Sequence, residues 1–341
     1  MKTKIGRWMP AMALALAVAG GEASAQTVEW RFNNTYAPTR PESAFIRQYV
    51  EDLRTRTGGR LSVTILEGGA SGLRDADALR WMQTGTPEMG FNWPPFLGRD
   101  APDLAALYVY GSVSTADEHR RALPALREIL TEGYGGRGVE VVGFMGLPML
   151  EASVFCRQPV RNLDELRRLK LRVGTRDQID TFRLVGVAAQ IVPQNELYAA
   201  MQTGVVDCAL YAARFAQSIS LQEVGRHAAG TGFPFPPVPY VIMANRTRFR
   251  ALPAELQQTV RQATAALETA SSDFSRDTAE ERTARERLTA AGVTWYPDFP
   301  EADRAAIRRA ALQVWESVAR ESGGNALDYR RRILQALGTG S

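Results

Sequence analysis

The sequence contains very little histidine and cysteine. Its 341 residues include two histidines, His119 and His227, and two cysteines, Cys156 and Cys208. Neither histidine lies beside a Gly-x-Ser-x-Gly nucleophile motif or has the spacing of a metal-ligand pair, so hydrolytic or metal-dependent chemistry is hard to assemble. We interpret both histidines as surface or capping residues. We predict no catalytic residue, no metal ligand and no cofactor.

Other patterns typical of enzymes are also missing. The glycines between Gly133 and Gly138 precede a predicted strand, whereas a phosphate-binding loop follows a strand and opens a helix. Neighbouring carboxylates such as Glu51 and Asp52 fit a solvated helix face, and we assign them no acid–base role. The sequence therefore favours a binding protein over an enzyme.

No apolar run reaches the ~20 residues that a membrane-spanning helix needs. The run Met9–Ala19 follows three basic residues and precedes Ala23-Ser24-Ala25, the small-residue pattern that signal peptidase cleaves. A membrane anchor is the alternative interpretation, but about eleven apolar residues are too few. We expect residues 1–25 to be a signal peptide and the product to be a soluble periplasmic protein beginning near Gln26.

The charge is nearly balanced. The formal net charge is +4, and loss of residues 1–25 would remove three cations and one anion, leaving +2. A nucleic-acid partner requires a concentrated basic face, so we predict no such partner.

The two cysteines leave two alternatives open. An oxidising compartment permits a disulfide between Cys156 and Cys208 but a chain of this size does not require one. Both lie in predicted strands of one domain, and a bridge needs Cα atoms within ~7 Å. Two buried free thiols are the default interpretation.

Strand and helix patterns alternate along the chain. Strands are predicted at 29–33, 61–65, 89–93, 139–142, 153–156, 170–173, 190–192, 206–210 and 238–244. Helices are predicted at 45–57, 75–84, 117–131, 177–185, 196–203, 301–322 and 325–337. Strands joined by helical crossovers indicate parallel pairing, and the length indicates two domains.

A longer run, from Pro253 to about Ala291, has almost no helix breakers. About forty helical residues would extend roughly 60 Å, which exceeds the expected width of either domain. This helix must therefore cross both domains or be kinked.

Six segments together resemble the solute receptors of TRAP (tripartite ATP-independent periplasmic) transporters, of the C4-dicarboxylate-binding (DctP-like) type. They are Thr57–Arg60, Met82–Gly90, Leu169–Val173, Gly186–Pro193, Glu196–Asp207 and Phe249–Gln257. Each is weak alone, but their order and spacing match the family over essentially the whole mature chain. The resemblance implies an α/β, two-lobed periplasmic binding protein with a cleft between the lobes and a long helix spanning both. We divide the chain into lobe I, 26–149 with 238–278, and lobe II, 150–237 with 279–341.

Arg172 is the leading candidate for ligand binding. It ends a predicted strand and precedes Gly174, where a ligand can approach the backbone closely. A guanidinium facing a cleft is a two-pronged donor that suits a planar carboxylate. The resemblance also places the usual carboxylate partner of the family at Arg172. The alternative is a surface or lobe-bridging arginine paired with a carboxylate of the protein itself.

The resemblance suggests further ligand-facing positions. Asn33 and Tyr36 match the first ligand-facing loop, although they also fit an Asx-type turn before Pro38. Trp93 fits the wall of a pocket, with core packing as the alternative. The remaining candidates are Tyr211, Phe215 and Phe233, and the two phenylalanines fit lobe core equally well.

One departure from the family bears on the ligand. A second arginine, present in several members, falls at Ala152 here. Fewer polar partners and several aromatic residues favour a monocarboxylate with an apolar or aromatic body over a sugar acid or dicarboxylate. The resemblance implies delivery of this acid to TRAP permease subunits in the membrane, and we expect the protein to be a monomer. A receptor that reports to a membrane sensor kinase is the alternative.

Overall fold

The computed structural model describes residues 27–113 and 115–338, so the expected signal peptide lies outside the described residues. The strands are β1 (Val28–Asn33), β2 (Leu61–Leu66), β3 (Met89–Asn92), β4 (Val139–Met145), β5 (Glu151–Cys156), β6 (Lys170–Val173), β7 (Ala188–Ile191), β8 (Cys208–Tyr211), β9 (His227–Pro234), β10 (Tyr240–Asn245) and β11 (Thr294–Tyr296). They form one sheet of order β2-β1-β3-β10-β4 and a second of order β11-β9-β5-β8-β6-β7. The mixed α/β, two-lobed architecture expected from the sequence is confirmed.

Helices pack on both sheets. They are α1 (Pro41–Arg56), α2 (Ala78–Thr84), α3 (Pro102–Ala105), α4 (Ala116–Gly136), α5 (Leu163–Leu166), α6 (Arg176–Leu184), α7 (Leu197–Gln202), α8 (Ala213–Ser218), α9 (Arg246–Arg250), α10 (Ala254–Ser271), α11 (Phe274–Ala290), α12 (Glu301–Ser322) and α13 (Ala326–Leu337). Over the described part of the chain, none of them is both long and apolar enough to cross a bilayer.

Strand–helix–strand units build each sheet. In the first sheet, β1 pairs in parallel with β2 and β3, and α1 makes the crossover between β1 and β2. In the second sheet, β6 pairs in parallel with β7 and β8. The predicted parallel pairing is confirmed, and it places the carboxyl ends of β1 and β3, and of β6 and β8, at shared edges.

The chain passes between the two sheets several times. The first passage, residues 146–150, joins β4 to β5, and the second, residues 235–239, joins β9 to β10. The third is the short break between α10, which packs on α1 and β4, and α11, which packs on α8. These passages position the two sheets against each other.

The predicted long helix is interrupted, so the kinked alternative holds. Helix α10 ends at Ser271 and α11 begins at Phe274. The side chain of Asp273 accepts hydrogen bonds from the backbone N–H groups of Ser275 and Arg276, both at 3.1 Å. Such an N-cap stabilises a new helix start, which explains the break within a sequence that contains few helix breakers.

The C-terminal helices pack on both halves of the molecule. Helix α12 packs on α6 and also contacts α3, whereas α13 packs on α4. The lobe boundaries proposed from the sequence stay a prediction.

The cysteines form a disulfide, so the default interpretation of two free thiols is wrong. Cys156 on β5 and Cys208 on β8 are directly opposite each other in antiparallel strands. Their Cα atoms are 4.1 Å apart. Strand register between positions 52 residues apart decides this contact, and sequence spacing alone does not reveal it.

Two further expectations are corrected. Helix α4 extends past its predicted end at residue 131 to Gly136, and the missing side chain at Gly133 makes room for Leu104 against the helix. His119 is not a surface residue: it is buried, with its ring centre 6.0 Å from that of Tyr108 and 5.7 Å from that of Phe274. Strands β9 and β11 were not predicted.

Candidate ligand-binding site

A cavity of about 70 Å³ lies between the two sheets. Segments that follow β1, β3, β6 and β8, together with the two strand passages, supply its walls. The lining residues are Tyr36, Arg40, Trp93, Phe96, Leu147, Pro148, Leu150, Arg172, Gly174, Gln178, Gln194, Tyr211, Phe215, Phe235 and Tyr240. Ligands of open α/β sheets bind outside the carboxyl ends of the strands, and this cavity has that position in both sheets.

Arg172 reaches the cavity from β6. Its side chain is buried, and Nε donates to the carbonyl oxygen of Val192 at 3.0 Å, which fixes the guanidinium. No ion pair of residues 27–113 and 115–338 involves Arg172. Burial is the main reason that its pKa falls below the usual value, and nearby Arg40 lowers it further. The two terminal nitrogens are thus a charged donor pair without a protein carboxylate.

Gly174 leaves the space beside that donor pair open. A Cβ at position 174 would lie 3.9 and 4.0 Å from the terminal nitrogens of Arg172. The backbone N–H of Gly174 donates to Oε1 of Gln178 at 2.8 Å, which turns the amide of Gln178 toward the cavity wall. A small acceptor group can therefore approach Arg172 and the Gln178 amide together.

Tyr211 provides a second polar group. The guanidinium of Arg172 lies 5.5 Å from the centre of its ring. Its hydroxyl is buried and, among the described residues, has no acceptor for its proton, although Arg40 lies close enough to act on it by charge and as a donor of poor geometry. Burial raises the pKa of Tyr211, so the hydroxyl is neutral and keeps its proton for donation. A buried hydroxyl at a cavity wall whose proton lacks an acceptor favours an acceptor atom of a ligand at this point.

Arg40 lines the same cavity but is already engaged. Its Nε donates to Oε2 of Glu42 at 3.0 Å and its Nη2 donates to Oε1 at 2.5 Å. The hydroxyl of Tyr240 also donates to Glu42 Oε1, at 3.0 Å. Burial alone raises the pKa of Glu42, but the charge and hydrogen bonds of Arg40 outweigh burial and leave this pKa below its usual range. Glu42 is therefore an anion paired with Arg40.

Apolar groups complete the walls. The guanidinium of Arg40 lies 3.8 Å from the ring centre of Phe215 and 4.5 Å from that of Tyr36. Trp93 Nε1 donates to the carbonyl oxygen of Val238 at 3.1 Å, and its ring packs edge-on against Phe96. The indole is thus held against the second strand passage, with a face left for the cavity.

The structure brings five of the seven candidate residues to one place, namely Tyr36, Trp93, Arg172, Tyr211 and Phe215. Asn33 and Phe233 do not line the cavity. Asn33 is buried and its Oδ1 accepts a hydrogen bond from Ser71 at 2.6 Å. Phe233 is buried in the core of the second sheet, with its ring centre 6.1 Å from that of Tyr110.

Sequence reasoning missed three polar lining residues, Arg40, Gln178 and Gln194. Arg40 follows the loop of Tyr36, and Gln178 lies in the helix that follows Arg172. A search of the loops and first helical turns after each predicted parallel strand would have found the first two. Across the described ranges, no cluster of three His, Cys, Asp or Glu residues can hold a metal ion.

The chain is similar to a known family of binding proteins. The family model for bacterial extracellular solute-binding protein, family 7, matches residues 32–322. The C4-dicarboxylate-binding periplasmic protein DctP of Rhodobacter capsulatus is 23% identical over 340 residues, covering 95% of this chain and 96% of the relative.

Solved structures share the fold. The extracytoplasmic solute receptor DctP7 of Bordetella pertussis, which binds pyroglutamic acid, has a TM-score of 0.82 at 20% identity, covering 92% of this chain and 100% of that chain. A TRAP periplasmic solute-binding protein from Sulfitobacter sp. NAS-14.1, with bound β-D-galacturonate, has a TM-score of 0.78 at 18% identity, covering 90% and 100%.

Proposed function

The chain belongs to the bacterial extracellular solute-binding proteins of family 7, and on this premise we propose that it captures a small organic carboxylate through Arg172 and delivers it to a TRAP membrane permease. The family consists of solute-binding proteins of transport systems, so the chain is not an enzyme. The observation that carries the proposal is the fixed guanidinium of Arg172, which faces a cavity without a protein carboxylate as partner.

The chemistry of the donors supports a carboxylate. Nε of Arg172 is occupied by Val192, so the two terminal nitrogens remain to form parallel bonds to two carboxylate oxygens. Such bidentate pairs combine charge with a planar geometry that a lysine cannot supply. The Tyr211 hydroxyl and the Gln178 amide lie at the same wall and can bind further ligand oxygens.

The cavity also supports a small, mostly apolar ligand body. Most lining residues are aromatic or aliphatic, and the cavity volume is about 70 Å³. We propose a monocarboxylate with a compact apolar or aromatic body. Pyroglutamic acid, the ligand of the Bordetella receptor, is closer to this description than galacturonate, the ligand of the Sulfitobacter protein.

Binding is coupled to closure in this proposal. Tyr36 and Trp93 come from segments of the first sheet, whereas Arg172 and Tyr211 come from the second. A ligand stabilises the closed state only by the free energy of contacts that it makes in that state alone. Contacts to both sheets satisfy this condition, and reopening at the permease would release the ligand unchanged.

Replacement of Arg172 tests the proposal. A thermal-shift screen of pyroglutamate, orotate, galacturonate, succinate and branched or aromatic monocarboxylates identifies a ligand, and calorimetry then measures its affinity. Arg172→Ala should weaken binding roughly 10- to 150-fold, because a charged hydrogen bond contributes about 1.5–3 kcal/mol. Arg172→Lys should recover little of this loss.

Arg176→Ala is the matched control, because Arg176 is an exposed arginine that pairs with Asp180 nearby on the surface. It should bind like the unmodified protein. An affinity within about threefold of normal in a folded Arg172→Ala protein would refute the role of Arg172. Stronger stabilisation by succinate or galacturonate than by apolar monocarboxylates would refute the proposed ligand class alone.

The location and partners follow from the same proposal. We propose that the protein works in the periplasm as a monomer that docks on the permease subunits. Size-exclusion chromatography with light scattering checks the monomer. Uptake of labelled ligand into proteoliposomes that contain a TRAP permease of the same organism checks delivery.

A further inference from the structure

Two arginines line one cavity, but their environments differ. The terminal nitrogens of Arg172 have no carboxylate partner, whereas the carboxylate of Glu42 fills the Nε–Nη2 edge of Arg40. Both members of this ion pair are buried: Arg40 is 3% exposed and Glu42 is 2% exposed. Such a carboxylate neutralises Arg40 where water cannot screen the charges.

The contacts of Arg40 leave little for a ligand. Glu42 takes Nε and Nη2, and the rings of Phe215 and Tyr36 lie against the guanidinium. A ligand carboxylate therefore cannot use the Nε–Nη2 edge of Arg40, and at the terminal nitrogens it would meet a guanidinium whose charge Glu42 already neutralises. It would also approach the negative charge of Glu42, which Tyr240 holds in place by its hydroxyl.

We infer that Glu42 determines how many carboxylates the site accepts, because it neutralises Arg40 and thereby excludes a second acid group from the ligand. This inference rests on the proposed capture of a carboxylate by Arg172. Glu42 itself is absent from the cavity lining, so it acts through Arg40 and is a specificity-determining residue without ligand contact.

The physical reason is the cost of an unpaired buried charge. A second ligand carboxylate would lose its hydration on entering the cavity. Arg40 is already paired with Glu42, so no free cation would offset the desolvation cost of that carboxylate. An amide of the same shape carries no charge, so the free-energy cost of burying it is much smaller. Asp75, which accepts a hydrogen bond from Thr35 at 2.7 Å and whose charge also acts on Arg40, adds to this exclusion.

Matched ligand pairs test the inference in the unmodified protein. Succinate and succinamate, and glutarate and glutaramate, differ only by replacement of one carboxylate with an amide. Competition against the best monocarboxylate at pH 7.5 should show that each monoamide binds at least 10-fold more tightly than its diacid. Equal or tighter binding of the diacids would overturn the inference.

Two substitutions with opposite effects make the test specific. Glu42→Gln keeps the shape but frees the charge of Arg40, so the monoamide-to-diacid affinity ratio should fall by about 10-fold. Arg40→Gln leaves Glu42 without its cation, so the same ratio should rise. A general structural defect would move both ratios in the same direction. The double substitution Arg40→Gln with Glu42→Gln should return the ratio close to its original value.

The outcomes separate this inference from the proposed function. If monocarboxylates bind only when Arg172 is present and diacids bind equally well, only the role of Glu42 fails. If no acid depends on Arg172, the proposed function fails as well. If Glu42→Gln binds monocarboxylates but keeps the ratio within twofold of the unmodified protein, Glu42 does not set the selectivity. Should Glu42→Gln not fold, Arg40→Gln still tests the role of Glu42, because a monoamide-to-diacid ratio that does not rise in that variant overturns the inference.

Discussion

The guanidinium carbon of Arg40 lies 3.8 Å from the ring centre of Phe215, and this contact joins the loop after β1 to helix α8 of the other sheet. Arginine over an aromatic face contributes about 2 kcal/mol or more when the pair is shielded from water. The pair is shielded here, since Arg40 is buried and Phe215 is 8% exposed. The contact therefore stabilises the observed arrangement of the two sheets, which is the closed state in the proposed mechanism.

Replacement of Phe215 should weaken that closure. We expect Phe215→Ala to lower ligand affinity roughly 10-fold and to increase the radius of gyration with ligand present, measured by calorimetry and small-angle X-ray scattering. Phe215→Leu keeps apolar volume but removes the aromatic face, so its ligand affinity should lie between those of the unmodified protein and Phe215→Ala. Unchanged affinity and size in Phe215→Ala would show that the contact does not stabilise closure.

Gly146 should be sensitive to any added side chain. It lies in the first passage between the sheets, and its N–H donates to Ser271 Oγ at 2.8 Å at the end of α10. A Cβ there would lie 2.7 Å from the carbonyl oxygen of Ser271 and 2.6 Å from Ser272 Oγ. We expect Gly146→Ala to lower the free energy of unfolding by about 1–3 kcal/mol.

Gly136→Ala is the control for this prediction. Gly136 ends helix α4, is exposed, and has no atom within 4 Å of an added Cβ. Alanine is favoured over glycine in a helix, so this change should be neutral or stabilising. Urea denaturation curves of the two variants provide the comparison, and equal midpoints would contradict the argument.

The disulfide should stabilise the protein substantially. Cys156 and Cys208 are separated by 52 residues, and a bridge that closes a loop of this size stabilises a fold by about 2–4 kcal/mol, chiefly by restricting the unfolded chain. Replacement of both cysteines by alanine should lower the midpoint of unfolding in guanidinium chloride. Reduction of the unmodified protein should lower it by a similar amount. Reduction should leave the alanine variant unaffected. Identical midpoints with and without reductant would show that the bridge does not form.

His119 should make stability depend on pH. Burial, followed by the charges of Arg127 and Arg120, lowers the pKa of His119 from 6.5 to about 4. Below pH 6.5 the unfolded chain therefore binds a proton that the folded protein does not accept, and stability falls as the pH falls toward 4. The stability that depends on neutral His119 is fully present above pH 6.5. Between pH 6.5 and pH 4 the free energy of unfolding falls by on the order of 3 kcal/mol.

Removal of His119 isolates that effect. His119→Phe should show a smaller loss of unfolding free energy between pH 7 and pH 4.5 than the unmodified protein. His227→Phe removes the other histidine and provides the background. The same pH slope in His119→Phe and the unmodified protein would contradict the buried, neutral state of His119.

The sequence alone predicted most of the elements near the site. Strand 170–173 was predicted with the bounds that the structure shows, because apolar residues and a following glycine mark a short buried strand. The candidate lining residues Tyr36, Trp93, Arg172 and Tyr211 lie at or just after strand ends, and the parallel order of those strands brings these ends to shared edges. Local pattern was sufficient for these positions.

Long-range contacts were not predictable in the same way. The disulfide depends on the register of β5 against β8, and the burial of His119 depends on Phe274, which is remote in sequence. The pairing of Arg40 with Glu42 is local in sequence, but its burial under Phe215 and Tyr36 requires both sheets.

The sequence by itself indicated most of the strands and helices, the α/β class and the family, and it predicted Arg172 as the carboxylate partner, because propensity, periodicity and motif order are local properties of the chain. Only the tertiary structure decided which charges are free. Arg172 and Arg40 are both arginines that follow or end a strand, yet one faces the cavity unpaired and the other is neutralised by Glu42. Burial and distance between side chains set that difference, and these exist only once the two sheets have packed together.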